Sequence, residues 1–352
     1  MSLSSDADIE SIVFDIGSHT ARAGIAGEEV PTVTMNYWES PEFKESYFEN
    51  GYELWKNMSY DTDELEKVLF FCYNLLSKDS RMTADELPAV FTEHFHDSLT
   101  KRDSVFEIMF EKFNIPSIYI APSPVLSLYS SGRGSGIVLE SGNSVTQTAV
   151  IYEGYMFADS VMCENYGGAS ISRDLRDCYN NAGMTAQHNI GSIINLKENY
   201  SLDFQEEVST QVKLPDGSLH TLENSYIKNC IKCLFESSTH TSLDKLIYQG
   251  IMASDIYCRK DLFPNIILSG GNTLISGFSK LLLANLEKLV GKRHNNSKVR
   301  LVEAPERLYA PWIGGSIIAS LSYMKDFWIE KGTYEDCGPK VLHDRLINPC
   351  KL

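Results

Sequence analysis

The stretch 11–26, SIVFDIGSHTARAGIA, constrains this chain more than any other. A β-branched and aromatic run, Ile12, Val13 and Phe14, ends on Asp15 and turns at Gly17 and Ser18. It returns through Thr20, Ala21 and Ala23 to Gly24. Two apolar runs joined by a short turn containing Gly read as a β-hairpin. The turn glycine lets successive backbone N–H groups converge on an anion. Asp15, just before it, suits a hydrated divalent cation, which carboxylates bind through oxygen. Many hairpins hold an acid and a glycine and bind nothing, so one hairpin fixes no function.

A second copy changes that reading. Residues 136–152, GIVLESGNSVTQTAVIY, repeat the pattern Ile-Val-apolar-acid-x-Gly-polar. Ile137, Val138 and Leu139 stand for Ile12, Val13 and Phe14, Glu140 for Asp15 and Gly142 for Gly17. Similarity at that distance points to two related halves, not a short-period solenoid. Two such turns, one per half, can grip a phosphate chain and its cation from opposite sides.

Composition narrows the classes. With 352 residues the chain can bury two substantial cores. A net charge of -16 argues against a broad nucleic-acid grip, which needs a Lys/Arg surface. No apolar run approaches the ~18 residues that span a bilayer, and residues 1–8 lack the apolar core of a leader. The eight cysteines are scattered, as suits a reduced compartment. Cys230 and Cys233 have no second pair at ligand spacing and read as helix cysteines, not a zinc site.

Along the chain, 32–56 is rich in aromatics and Glu, lacks clean periodicity and reads as an irregular outlying segment, with 39–53 as a solvated acidic cover. Asp61 and Glu64 form a capping box before a helix carrying Leu65, Val68, Leu69 and Cys72. Strands at 87–91 and 117–121 alternate with a helix at 104–113 and with one opening at Pro122 and Pro124. This alternation implies a parallel or mixed sheet covered by helices. Further on, a helix is predicted over 170–180. The strand 266–268 then runs into Ser269-Gly270-Gly271-Asn272 and a helix over 274–290, an arrangement that turns helix N–H groups toward a ligand. An apolar helix over 317–328 follows Gly314 and Gly315.

The chain resembles the actin family over nearly its whole length, through six motifs in order. They are FDIGSHTARAGIAGEE at 14–29, VLSLYSSGRGSGIVLESG at 125–142, IYEGY at 151–155, LPDG at 214–217, RKDLFPNIILSGGNTLISGF at 259–278 and PERLYAPWIGGSIIASLS at 305–322. The resemblance implies a bilobal α/β fold, two related lobes around a cleft that holds ATP (or ADP) and Mg2+. It implies a first-lobe core from 1–31, 57–130 and 310–352 with a shortened outer segment at 32–56. The second-lobe core is expected from 131–166 and 239–309, with its outer part at 167–238.

Position by position, the resemblance implies that Gly17, Ser18 and Arg22 meet the phosphates from one lobe, Arg22 standing where the family has Lys. Gly142, Asn143, Ser144 and Val145 close from the other lobe. Asp15 and Glu140 hold the cation through water. Gly168, Lys197 and Glu198 contact ribose and base, and Gly270, Gly271, Asn272 and Leu274 form the adenosine shelf. Three positions depart where the family orients the attacking water: Ser123 replaces Gln, Asn143 replaces Asp and Gln147 replaces His. Losing such groups removes positioning and acid–base effects worth ~10²–10⁴-fold each, so nucleotide retention with little hydrolysis is expected. His19, in place of a small residue, is expected to crowd the phosphates.

Two filament-contact regions also depart. The segment 32–56 is short, and the apolar plug expected near 235–241 reads FESSTHT. A homopolymer is therefore not expected. Within the family, the likeness leans to nuclear actin-related proteins of chromatin-remodelling and histone-acetyltransferase complexes, with WIGGSIIASL running on to FWIEKGTYE at 327–335. That implies a nuclear scaffold whose partners are actin, a helical segment of a large remodeller subunit and other complex subunits. The helix would lie in a groove between 123–131 and 323–328. The alternative is a cytoplasmic, cytoskeletal capping subunit of a dynactin-type complex, with which Ala121-Pro122-Ser123 is compatible. An ATPase or sugar kinase of this fold is disfavoured, because no sugar-binding motif is present.

Overall fold

A computed structural model describes residues 10–54, 62–79, 84–94, 99–181, 193–194, 197–198, 210–213, 219–222, 224–291 and 298–347. Its strands, in chain order, are β1 (Ile12–Ile16), β2 (Thr20–Ile25), β3 (Val33–Asn36), β4 (Ala89–Glu93), β5 (Ser117–Pro122), β6 (Gly136–Ser141) and β7 (Thr146–Tyr152). Then come β8 (Tyr155–Met156), β9 (Met162–Glu164), β10 (Thr210–Lys213), β11 (Leu219–Leu222), β12 (Ile266–Ser269), β13 (Leu301–Val302) and β14 (Ile329–Glu330). One sheet has the order β14-β5-β4-β1-β2-β3. A second has β13-β12-β6-β7-β8, with β9 also on β7, and β10 pairs with β11 alone. This is the bilobal α/β architecture expected.

The two hairpins occupy matching places. β1 pairs antiparallel with β2 and parallel with β4; β6 pairs antiparallel with β7 and parallel with β12. Every residue of β1 and of β6 is buried, as continuous apolar runs must be when a strand is covered on both faces. One apolar core gathers around Phe14, Phe91, Phe106 and Ile118, and the other around Leu139, Ile247, Leu268 and Phe278.

The helix Ser123–Ser130 joins the lobes and has a face in each. Leu128 packs with Val138, Ala149 and Ile267 of the second sheet, whereas Leu126 packs with Ile318 and Met324. The helix predicted over 317–328 instead runs Ala310–Ala319, followed by a 3₁₀ turn at Ser322–Phe327. Its two glycines are interior because a helix crosses there. A Cβ on Gly314 would lie 2.0 Å from the Leu126 carbonyl oxygen, and one on Gly315 would lie 2.7 Å from Val13. Where a partner groove is expected, between 123–131 and 323–328, Leu321 and Phe327 pack against that same apolar cluster.

Other boundaries shift less. The helix after the second hairpin is Gly168–Asn181, and the one after the Gly-Gly turn is Phe278–Gly291, preceded by a 3₁₀ turn at Gly271–Leu274. The second expected helix is Leu99–Glu107, widening into a π-turn at Ile108–Lys112 that turns Ile108, Met109 and Phe110 all inward. The Asp61 cap and the 214–217 turn lie outside the described residues.

The segment 32–54 is neither irregular nor peripheral, contrary to its sequence reading. β3 forms the edge of the first sheet, and Lys44–Glu49 is a short helix. Tyr37, Phe43, Tyr47, Tyr52 and Leu54 are buried, and Phe43 meets Tyr37 and Phe71 edge-on at 5.7 and 6.4 Å. Rings bury area from almost any spacing, so no period betrays such a segment. The solvated acidic cover holds for Glu39, Glu42, Glu45 and Glu49, which are exposed, but not for Glu53, which is buried at 7% exposure.

Candidate functional site

The two hairpin tips face one another across a cavity of about 470 Å³, within the usual range for a cofactor-sized ligand. Each tip closes in the same way: the Gly17 N–H donates to the Thr20 carbonyl and the Gly142 N–H to the Val145 carbonyl, both at 3.0 Å. Neither turn glycine is held in left-handed backbone. A Cβ on Gly142 would make ordinary contact at 3.5 Å, and one on Gly17 a tight one at 3.3 Å. The glycine the backbone does require is Gly270, with φ of 91° and an added Cβ only 2.4 Å from the Ser141 carbonyl oxygen.

Asp15, Gly17, Ser18 and Arg22 line the cavity from the first hairpin, and Glu140, Gly142, Asn143, Ser144, Val145 and Gln147 from the second. Gly168, Lys197 and Glu198 form one wall; Gly270, Gly271, Asn272 and Leu274 form another. Ser123 lies one hydrogen bond behind the wall, on Glu140.

The acids are held by different means. Asp15 accepts from Arg22 at 2.8 Å and from Thr92 at 2.8 Å, and the Arg22 guanidinium lies over the Tyr309 ring. Glu140 accepts from Ser127 at 2.6 Å, and from Ser123 and Gln147 at 2.7 Å each. Thus Ser123 and Gln147, two of the positions that differ from the family, are tied to a carboxylate. The third, Asn143, donates its amide to the Tyr52 carbonyl at 2.7 Å. Asn272 donates to the Gly142 carbonyl and so steadies the second tip.

Lys197 is buried, with its ammonium 3.3 Å from the Gly168 carbonyl. Burial pushes its pKa down to about 8, against a partial counter-pull from Glu198. Glu198 turns to the first hairpin and lies 3.6 Å from His19. Burial pushes the Glu198 carboxyl up, but the His19 hydrogen bond and the Lys197 charge outweigh it, so the net shift is downward. Burial likewise lowers His19, whose Nδ1 lies 2.7 Å from the Tyr47 hydroxyl. A neutral ring donating Nε2–H to Glu198 and accepting at Nδ1 satisfies both contacts.

The sequence reading missed several lining residues. Thr34 and Asn36 reach the cavity because β3 places them opposite Arg22 and Thr20. His94 follows the C-terminal end of β4, the sheet edge where α/β folds bind ligands, which is the signal that would have found it. Its Nδ1 lies 3.3 Å from the Ser123 hydroxyl. Tyr309 and Leu308 come from the return to the first lobe.

The donor set fits an anion with a hydrated cation. Arg22 Nε is buried without a hydrogen-bond partner, as are the acceptors Asn143 Oδ1 and Gln147 Oε1. The nitrogen and the Lys197 ammonium suit phosphate oxygens; Glu140 and the two amide oxygens suit a hard cation held through water. A family model described as Actin matches residues 6–233 and 197–347. The chain belongs to the actin family. Proteins of the actin fold usually bind nucleotide and Mg2+, and the cavity between the paired hairpins is the matching place in this chain.

Proposed function

We propose that this actin-family protein binds an adenine nucleotide, ATP or ADP, with a hydrated Mg2+ between its hairpin tips, and serves as a non-polymerising scaffold. The observation that carries the reading is the convergence of both tips, with Arg22 Nε unsatisfied, on a single cavity. Ser18, Arg22, Ser144 and Lys197 would hold the phosphates. Glu140, helped by Gln147 and Asn143, would hold the cation, and Leu274 and Tyr309 would flank the base. Bound nucleotide supplies binding energy that ties the lobes together. Ser123 and Gln147 are engaged with Glu140, which supports slow or absent hydrolysis.

The polymer surface is also altered. The 235–241 turn is closed locally: Ser237 meets Thr239 and His240, and His240 stacks on Tyr166 at 4.0 Å. A turn bonded to itself supports a protein that does not polymerise. The sequence likeness favours a nuclear chromatin-remodelling or histone-acetyltransferase complex, with actin and a helical segment of a large subunit as partners. Two measurements test this. Protein denatured after purification should release adenine nucleotide, and phosphate release at saturating ATP should stay at background; measurable turnover overturns the slow-hydrolysis part. Native pull-down should recover remodeller subunits, and recovery of dynactin subunits would replace the nuclear scaffold with a capping role.

A further inference from the structure

We infer that Glu53 makes the cleft selective for a nucleoside diphosphate over a triphosphate. This rests on the nucleotide reading above and specifies which nucleotide the site takes.

The segment before Glu53 is bent to bring it there. Gly51 has φ of 83° and Tyr52 φ of 72°, two successive left-handed residues, the second a bulky side chain that rarely adopts this conformation. Such strain persists only where the surroundings impose it. Here Tyr52 is buried and the Arg176 guanidinium lies over its ring, while the Leu54 N–H donates to the Ser18 carbonyl at 2.8 Å. The segment is thereby pinned to the first tip.

From that anchor it reaches the second tip. The Tyr52 carbonyl accepts from Asn143, and Glu53 accepts from the Ser144 hydroxyl at 2.5 Å. A serine has one hydroxyl proton, so the 2.5 Å contact between the Ser144 and Ser18 hydroxyls is donated by Ser18. The Glu53 carboxylate therefore touches the second tip directly and the first through the Ser144 hydroxyl. Its other oxygen lies 3.3 Å from Arg173, which also donates to the Gly51 carbonyl.

These tip contacts are the ones a terminal phosphate between the hairpins would need. An anion built into the chain already takes them. A third phosphate brings further negative charge beside a buried carboxylate whose cation, Arg173, is partly exposed. Like charges at such range in a sheltered site repel strongly. The acids nearest the first two phosphates, Asp15 and Glu198, are offset by Arg22 and Lys197.

Titration of the purified full chain with fluorescent ADP and ATP analogues, in Mg2+, tests this. Wild type should bind ADP about tenfold or more tightly than ATP. Glu53→Gln, which keeps size and hydrogen bonding, should narrow the gap about tenfold by improving ATP and leaving ADP within twofold. Equal or tighter ATP binding by wild type overturns the inference, as does an unchanged ratio in Glu53→Gln. If that variant does not fold, the wild-type ratio alone decides. Binding of neither nucleotide overturns the nucleotide reading itself, and this inference with it.

Discussion

Across the first hairpin Asp15 faces Arg22; at the same register in the second, Glu140 faces Gln147. The backbones are equivalent down to the glycine-to-carbonyl bond that closes each turn. The electrostatics are not. Asp15 is neutralised by a guanidinium, whereas among the described residues Glu140 is held by the uncharged donors Ser123, Ser127 and Gln147. Duplicated geometry therefore carries divided charge: the first hairpin holds an acid–cation pair, and in the second the carboxylate meets uncharged donors. A repeated backbone motif predicts where groups sit, but its cross-strand partners decide what charge they offer.

The sharpest way to break this comparison is at the glycines. Gly270→Ala forces a Cβ into the Ser141 carbonyl from backbone only glycine adopts, and should cost about 3–5 kcal/mol in chemical denaturation. Gly17→Ala and Gly142→Ala, free of positive φ, should each cost about 1 kcal/mol or less. Comparable losses at all three would show that the tips, not their support, set the geometry.

A smaller effect separates the acids. Asp15→Asn strands the Arg22 charge in a buried site and should cost about 3 kcal/mol. Glu140→Gln removes a charge that meets uncharged donors among the described residues and should cost about 1–2 kcal/mol, chiefly from mismatched donors. Urea unfolding at pH 7 measures both, and adding Arg22→Met should restore most of the Asp15→Asn loss. Equal losses would make the hairpins electrostatically alike.

The smallest effect is read by pH. Burial holds the Lys197 pKa near 8, below its ordinary value. Below pH 8 the ammonium is charged and attracts an anion; above it the free protein loses that charge, so binding must take up a proton. Nucleotide affinity should fall about tenfold between pH 7 and 9.5, with buffer-dependent heats in calorimetry. Lys197→Met should flatten the profile over that range.

What the sequence showed plainly was local. An apolar run, an acid and a glycine turn identify each hairpin, and the repeat pairs them; the structure brings the acids and the turn residues of both to one cavity. Long-range placement was hidden. Glu53 meets Arg173 from 120 positions away, and nothing in either neighbourhood announces the partner. Gly314 and Gly315 read as lying before a helix that opens at 317, yet they sit inside one, against the Leu126 backbone. Glu198, expected at the sugar, lines the cavity, but its neighbour His19, 3.6 Å away, was not legible from either stretch.

The Trp312 indole N–H donates to the Val13 carbonyl across 299 positions, and a Cβ on Gly24 would touch its ring. At translation speeds of about 5–20 residues per second, the first hairpin emerges some 15–60 s before that indole. Throughout this interval the hairpin shows a bare apolar floor to the cell. Its final cover is a helix 299 positions further along the chain.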